Sequence, residues 1–259
     1  MNSSLFVKQL GEGSRTLVFL PGITGTHRYW EERVANLAER KRLLLVDPLG
    51  FGQSEKPLDA IYSVDRHVEE LRRALASEPP FTLVGHSMGA ILAVAYAARY
   101  PEQVDRLHLL SLPCFDNRAD AAAAMGFPYG LLYTNRFLAI AGCIAGRKLF
   151  GRFLTKIPAF LQLYPREVLE DVTTHHWQSF SSSLEEVIFN HDVKKDLRRL
   201  PKTLSVSFVH GDADQVAPLE PVRVACKERP EWMLHVLRGG DHHPLLRDPD
   251  WCLAPLFSS

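Results

Sequence analysis

Along most of the chain, short unbroken runs of apolar residues alternate with longer segments in which apolar residues recur at the helical period. A strand buried on both faces of a parallel sheet has the first pattern, because neither side of it meets water. An amphipathic helix that covers such a sheet has the second pattern. The apolar runs occupy positions 16–20, 43–47, 81–84, 107–111, 204–210 and 232–237. This alternation predicts an α/β fold with a mostly parallel central sheet flanked by helices.

The segments between these runs show where the covering helices begin and end. Trp30, Val34 and Leu37 lie on one face of a helix predicted over 29–37. Ser63 is a residue type that caps helices, and an apolar stripe follows it. That stripe consists of Val64, Val68, Leu71 and Leu75. Further helices are predicted over 220–227 and after Pro249, and a first strand over 6–10 is joined to the run at 16–20 by a glycine-rich turn.

The alternation lapses between positions 113 and 200. This stretch is mostly helical in pattern, but glycines and prolines interrupt it repeatedly. We therefore expect a helical cap over 113–200, inserted into an α/β core made of 1–112 and 201–259.

One apolar run ends in the pentapeptide Gly85-His86-Ser87-Met88-Gly89 and continues directly into a helical pattern. A strand that turns into a helix within about three residues forces strained dihedral angles on the residue at the apex. Small residues two positions to either side relieve the crowding there. The serine hydroxyl is then exposed, and the N–H of the next residue lies at a helix N-terminus, where it can stabilise an anion. Ser87 is therefore a candidate nucleophile, and the Met88 amide a candidate oxyanion donor.

Composition narrows the choice of partners. The 259 residues include 30 Lys and Arg against 30 Asp and Glu, so no net charge attracts nucleic acid or an anionic membrane. We expect a small-molecule substrate, no nucleic-acid partner and no stable membrane insertion, because the longest apolar run, near 137–145, is too short to span a bilayer. Four dispersed cysteines without metal-ligand spacing, and a first segment unlike a signal peptide, favour a cytoplasmic protein without a metal site. The sequence does not indicate an oligomeric state.

A serine hydroxyl needs a base to take its proton, and that base needs an acid to orient it. Two loops that follow apolar strands supply such groups. The loop after the run at 204–210 contains Asp212 and Asp214, and the loop after the next run contains His242 and His243. The order along the chain is therefore serine, aspartate, histidine, with two candidates each for the acid and the base.

Five segments together resemble the α/β-hydrolase superfamily along nearly the whole chain. They are Leu20-Pro21-Gly22, Asp47-Pro48-Leu49-Gly50-Phe51-Gly52-Gln53-Ser54, Gly85-His86-Ser87-Met88-Gly89, Gly211-Asp212-Ala213-Asp214-Gln215-Val216-Ala217-Pro218 and Gly240-Asp241-His242-His243-Pro244. The resemblance implies an α/β-hydrolase fold and places the acid three residues after a glycine, at Asp214. It implies His242 as the base, because proline follows it two residues later. The cap has no motif that can be matched.

The same resemblance implies that the second oxyanion donor is the backbone amide of Ile23. Many relatives have His-Gly where this chain has Pro21-Gly22, so a histidine that buttresses the loop is missing here. His86 lies beside Ser87 in the pentapeptide. The resemblance implies a residue that merely fills this position, as is typical of the family, rather than a catalytic one. Asp47 ends a strand near the site and is expected to order the following loop.

The remaining candidates concern substrate binding. His27 follows the predicted oxyanion loop, Pro21-Gly22-Ile23-Thr24-Gly25-Thr26, and can contact a leaving group, although a solvated loop residue is the plainer interpretation. Aromatic residues of the predicted cap are candidate pocket walls, and core packing is their alternative role. They are Phe127, Tyr129, Tyr133, Phe137 and Trp177.

The sequence therefore predicts a serine hydrolase that cleaves a carboxyl ester, thioester or lactone with an apolar portion, through an acyl-enzyme on Ser87. No cofactor is implied. Two alternatives keep the same fold: a hydrolase of carbon–carbon bonds or a cofactor-free lyase that uses the same triad, and a hydrolase-derived ligand receptor. The natural substrate does not follow from the sequence, because fold does not fix function.

Overall fold

The computed structural model describes residues 4–125, 166–171 and 175–257. Four of the predicted pocket aromatics, Phe127, Tyr129, Tyr133 and Phe137, lie outside these residues. The boundaries predicted for the cap stay a prediction for the same reason.

Within the described residues, seven strands form one sheet in the order β1-β3-β2-β4-β5-β6-β7. Their bounds are β1 Val7–Leu10, β2 Thr16–Leu20, β3 Arg42–Val46, β4 Phe81–His86, β5 Val104–Leu110, β6 Ser205–Gly211 and β7 Met233–Leu237. All neighbouring pairs are parallel except β1 with β3, which is antiparallel. The prediction of a mostly parallel sheet is confirmed. The first two strands, although joined by a short turn, do not pair with each other, because each lies on a different side of β3.

Ten α-helices lie in the described part of the chain. They are α1 Arg28–Val34, α2 Val64–Ala74, α3 Met88–Arg99, α4 Arg118–Met125, α5 Arg166–Asp171, α6 Trp177–Ser183, α7 Val193–Arg199, α8 Leu219–Glu228, α9 Pro244–Arg247 and α10 Pro249–Leu253. A π-helix over Leu184–Phe189 continues α6. The hydroxyl of Ser63 accepts the Arg66 N–H at 3.2 Å, so the predicted cap of α2 is confirmed. None of these helices is long and apolar enough to cross a membrane.

Alternate residues of the central strands belong to two different apolar clusters, one on each face of the sheet. Along β2, Val18 and Leu20 belong to the cluster that α2 and α3 cover, whereas Leu17 and Phe19 belong to the cluster that α1 and α10 cover. Helix α3 is buried along nearly its whole length, from Met88 to Ala97. It packs against strands, α2 and α7 at once. Ser87, directly before α3, is therefore held by a helix that is buried along nearly its whole length.

Candidate active site

Ser87 sits at the apex of a sharp turn between β4 and α3. Its φ of 53° and ψ of −119° lie in a region that residues with a side chain rarely adopt. A Cβ on Gly85 would lie 2.4 Å from the carbonyl oxygen of Gly89, and a Cβ on Gly89 would lie 2.3 Å from that of Leu20. Both positions therefore require glycine. The turn can form only with its two flanking glycines in place, and it leaves Ser87 between the helix and the end of β2.

The loop that follows β2 lies directly against this serine. A Cβ built on Gly22 would be 3.2 Å from the Cβ of Ser87 and 3.1 Å from Nδ1 of His86. The loop closes on itself through a bond from the Gly25 N–H to the Gly22 carbonyl at 3.0 Å, and Thr24 has a φ of 65°. The N–H of Ile23 donates to no other residue in the described ranges. Met88 is the first residue of α3, where amides have no acceptor within the helix. Two amides are thus available near Ser87.

His242 and Asp214 meet Ser87 in a continuous chain of hydrogen-bonding distances. Nε2 of His242 lies 2.9 Å from Oγ of Ser87. On the other side of the imidazole ring, Nδ1 lies 2.9 Å from Oδ2 and 3.1 Å from Oδ1 of Asp214. A carboxylate can only accept, so Nδ1 carries a proton and the neutral ring keeps a lone pair on Nε2, facing the hydroxyl. This arrangement can take the proton from Ser87.

The carboxylate of Asp214 is held by the backbone of its own loop. Its Oδ1 accepts the N–H groups of Val216 at 2.9 Å and Ala217 at 2.8 Å. Burial acts to raise the pKa of Asp214. The hydrogen bond and charge of His242, together with the Ala217 N–H, outweigh burial and leave the pKa below the ordinary value. Asp214 is therefore ionised at neutral pH.

The other two candidates from these loops are engaged elsewhere. Asp212 accepts the Gly239 N–H at 2.6 Å and is exposed, so it ties two loops together. His243 faces Tyr29, whose hydroxyl lies 3.4 Å from its Nδ1. Burial and the neighbouring His242 lower the pKa of His243 to about 3, so its ring stays neutral. No hydrogen bond in the described residues joins either group to Ser87.

His27 is buried, so its interpretation as a solvated loop residue is wrong. Its Nδ1 lies 2.9 Å from Oδ1 of Asp47, and its ring packs on Phe6. Asp47 also accepts the backbone N–H of His27 at 2.6 Å and that of Gln53 at 2.8 Å. Asp47 therefore orders two loops, its own and the loop between β2 and α1.

Trp177, the one predicted pocket aromatic within the described residues, begins α6 and is partly exposed. None of the hydrogen bonds and ring contacts among the described residues joins Trp177 to Ser87, Asp214 or His242.

Nothing in the sequence indicates a link between α5 and the loop between β2 and α1. The hydroxyl of Thr26 donates to Asp171 at 2.5 Å, and Arg28 donates to the same carboxylate at 3.0 Å. Arg33 pairs with Glu167 at 2.9 Å. Helix α5 is therefore fastened to α1 beside the site. No local pattern signals this contact, because more than 130 positions separate the partners.

Comparison with known proteins agrees with this fold. The family model described as alpha/beta hydrolase fold matches residues 15–249, and the chain belongs to this family. Among curated relatives, "Probable lysophospholipase BODYGUARD 4" of Arabidopsis thaliana is 26% identical over 259 residues. That match covers 91% of this chain and 61% of the relative, so the chain spans less than two thirds of the relative's length.

Solved structures show the same architecture. A bromoperoxidase from Bacillus anthracis matches 97% of this chain and 94% of its own with a TM-score of 0.77 at 19% identity. The esterase EaEST from Exiguobacterium antarcticum matches 97% and 93% with a TM-score of 0.75 at 22% identity. At these identities the likeness concerns the fold alone. The predicted superfamily and fold class are confirmed.

Proposed function

We propose that the protein is a serine hydrolase that cleaves a carboxyl ester, thioester or lactone with an apolar portion. The observation that carries the proposal is the relay from Ser87 through His242 to Asp214, with both of its links at 2.9 Å. A nucleophile, a base and an orienting acid in these positions are the requirements of acyl transfer.

In the proposed reaction, Oγ of Ser87 attacks the carbonyl carbon while its proton moves to Nε2 of His242. The oxyanion that forms is bound by the N–H groups of Ile23 and Met88, and Asp214 stabilises the charged imidazole. The carbon–oxygen or carbon–sulfur bond then breaks, and the leaving group takes the proton from His242. A water molecule attacks the acyl-enzyme and gives one proton to His242, which returns it to Ser87 as the acid product departs.

For the substrate, we propose a carboxylic ester of a single apolar chain as the first class to test. The name of the Arabidopsis relative refers to lysophospholipids, which are esters of this kind. We also propose that 113–200 forms a cap over the core and supplies walls for the apolar chain. The tie between Asp171 and Thr26 supports this arrangement, because it holds part of the insertion beside the oxyanion loop.

The test is a series of p-nitrophenyl esters of increasing acyl length, together with lysophosphatidylcholine, assayed with the wild type and Ser87→Ala. We expect a burst of nitrophenol close to one equivalent followed by slower steady turnover, and a loss of about 10³-fold or more in Ser87→Ala. If an ester with an acyl chain longer than acetate is turned over fastest, the result supports an apolar acyl site.

Activity that survives Ser87→Ala would contradict the mechanism. A folded protein that turns over no ester, thioester or lactone but binds a metabolite stoichiometrically would favour a receptor instead. Serine-dependent cleavage of a carbon–carbon bond without ester hydrolysis would favour the other alternative.

A further inference from the structure

His86 stands directly before Ser87, and the proton relay does not include its side chain. The residue is 1% exposed. Its Nε2 lies 2.8 Å from the backbone carbonyl oxygen of His242. A carbonyl oxygen can only accept, so Nε2 carries the proton and donates it, and Nδ1 keeps a lone pair. In the described residues, Nδ1 has no hydrogen-bonding partner.

The bond from His86 crosses 156 positions of the chain and joins the end of β4 to the residue proposed as the base. Other bonds fix neighbouring parts of the same loop. The N–H of Ala213 donates to the Gly240 carbonyl at 3.0 Å, and the N–H of His243 donates to Asp241 at 2.9 Å. Only His86 is bonded, within the described ranges, to the backbone of His242 itself. The two residues that must meet, Ser87 and His242, are thus linked a second time through the neighbour of Ser87.

The imidazole of His86 is itself held in one orientation. The ring of Tyr29 stacks on it, with centroids 4.8 Å apart and planes inclined by 22°. Gly22 also lies against the ring, since a Cβ there would lie 3.1 Å from Nδ1 of His86. Burial and the nearby rings of His243 and His242 lower the pKa of His86 well below its usual value. His86 is therefore a rigid neutral donor that does not compete with His242 for the proton.

We propose that His86 is a positioning residue for His242: its Nε2–H fixes the backbone of the base so that the imidazole meets Ser87. This inference rests on the proposed function and deepens it. Because the bond acts on geometry and touches no substrate atom, its loss should lower kcat and leave KM nearly unchanged. A displacement of the base by about 1 Å is enough to lower the rate by about 10²-fold.

Three substitutions separate the donor from the volume and polarity of the side chain. His86→Gln places an amide N–H where Nε2 lies and keeps the bond. His86→Leu fills similar space without a donor. His86→Asn is polar but places its amide near the position of Nδ1, too short to reach the His242 carbonyl. Each variant is assayed with the best ester for the wild type, well below its own unfolding midpoint, beside wild type and Ser87→Ala.

We expect His86→Gln to keep kcat within about 5-fold of the wild type, and His86→Leu and His86→Asn to lose about 10–100-fold with KM within about 3-fold. If Leu does not fold, the Asn variant gives the same contrast with Gln. Equal kcat values for His86→Gln and the donor-free variants, whether high or low, would overturn the proposal. In that case Ser87-dependent activity of the wild type would leave the proposed function standing.

A readout that needs no turnover is the low-field proton resonance of the Nδ1–H that His242 shares with Asp214. We expect it in the wild type and His86→Gln, and broadened or lost in His86→Leu and His86→Asn. An unchanged resonance in all four proteins would show that the base keeps its place without the donor, which contradicts the proposal even if the protein hydrolyses no ester.

Discussion

Oδ2 of Asp214 lies 2.9 Å from Nδ1 of His242, whereas Asp212, two residues earlier, accepts a backbone N–H of Gly239. The two carboxylates belong to one loop but have different surroundings. We predict that Asp214→Asn lowers kcat by about 10³–10⁴-fold, because an amide no longer fixes the required tautomer of the imidazole.

Asp212→Asn is the matched control for that change. It alters a neighbouring carboxylate in the same way, and we expect kcat within about 3-fold of the wild type, since Asp212 does not contact His242. Steady-state kinetics on both variants check the assignment. A larger loss in Asp212→Asn than in Asp214→Asn would reverse it.

The glycine at position 89 should be irreplaceable. A Cβ there would lie 2.3 Å from the backbone oxygen of Leu20, and a backbone atom in a packed strand cannot move away. We predict that Gly89→Ala lowers the free energy of unfolding by about 3 kcal/mol or more. Urea denaturation measures this change.

Gly239→Ala provides the comparison. Gly239 has a φ of 69° but nothing lies within 4 Å of the added methyl group. Gly239→Ala should therefore lower the free energy of unfolding only by the cost of placing alanine in a left-handed backbone conformation, about 1–2 kcal/mol. If both substitutions destabilise equally, the close approach at Gly89 is not what fixes the turn.

Buried neutral histidines should make stability depend on pH. Burial lowers the pKa of His67 and of His108 to about 4, whereas an unfolded histidine titrates near 6.5. Between these values the unfolded chain binds more protons than the folded protein. The free energy of unfolding should therefore fall as pH drops from about 6.5 to about 4, by about 1–3 kcal/mol for each group.

Denaturation curves at several pH values measure this slope. His108→Gln keeps a donor for the Cys252 carbonyl, which lies 2.9 Å from Nε2, but removes the titrating ring. We expect a flatter slope in His108→Gln, and a still flatter one in the double variant with His67→Gln. A slope that is the same in all three proteins would show that these rings do not take up protons on unfolding.

Asp47 should matter for stability although it lies outside the relay. It is completely buried and accepts the backbone N–H groups of His27 and Gln53. Asp47→Ala leaves both donors unsatisfied, and we predict a loss of about 2–4 kcal/mol in the free energy of unfolding. The exposed Asp59, twelve positions further on, serves as control, and Asp59→Ala should stay within about 0.5 kcal/mol. Similar losses in the two variants would argue against this role of Asp47.

The central strands and the fold class could be predicted because burial on both faces leaves a continuous apolar run, which is a local signal. The position of β1 in the sheet could not be predicted. The short turn between β1 and β2 suggests that these two strands are neighbours, yet β1 pairs with β3. Local patterns predict the turn at Ser87 from its two flanking glycines. They also predict the candidates for the acid and the base from the loops that follow apolar strands. The bond from His86 to His242 and the tie from Thr26 to Asp171 join positions more than 140 apart, and nothing near either partner indicates them.

Whether Ser87 is an activated nucleophile is measured most directly by peptide mapping with mass spectrometry after treatment with a fluorophosphonate, which reacts with an activated serine. We predict one adduct per molecule, on the peptide that contains Ser87, and labelling at least about 10²-fold slower in His242→Ala. Labelling of Ser87→Ala at the wild-type rate, or an adduct on a different residue, would show that Ser87 is not the nucleophile.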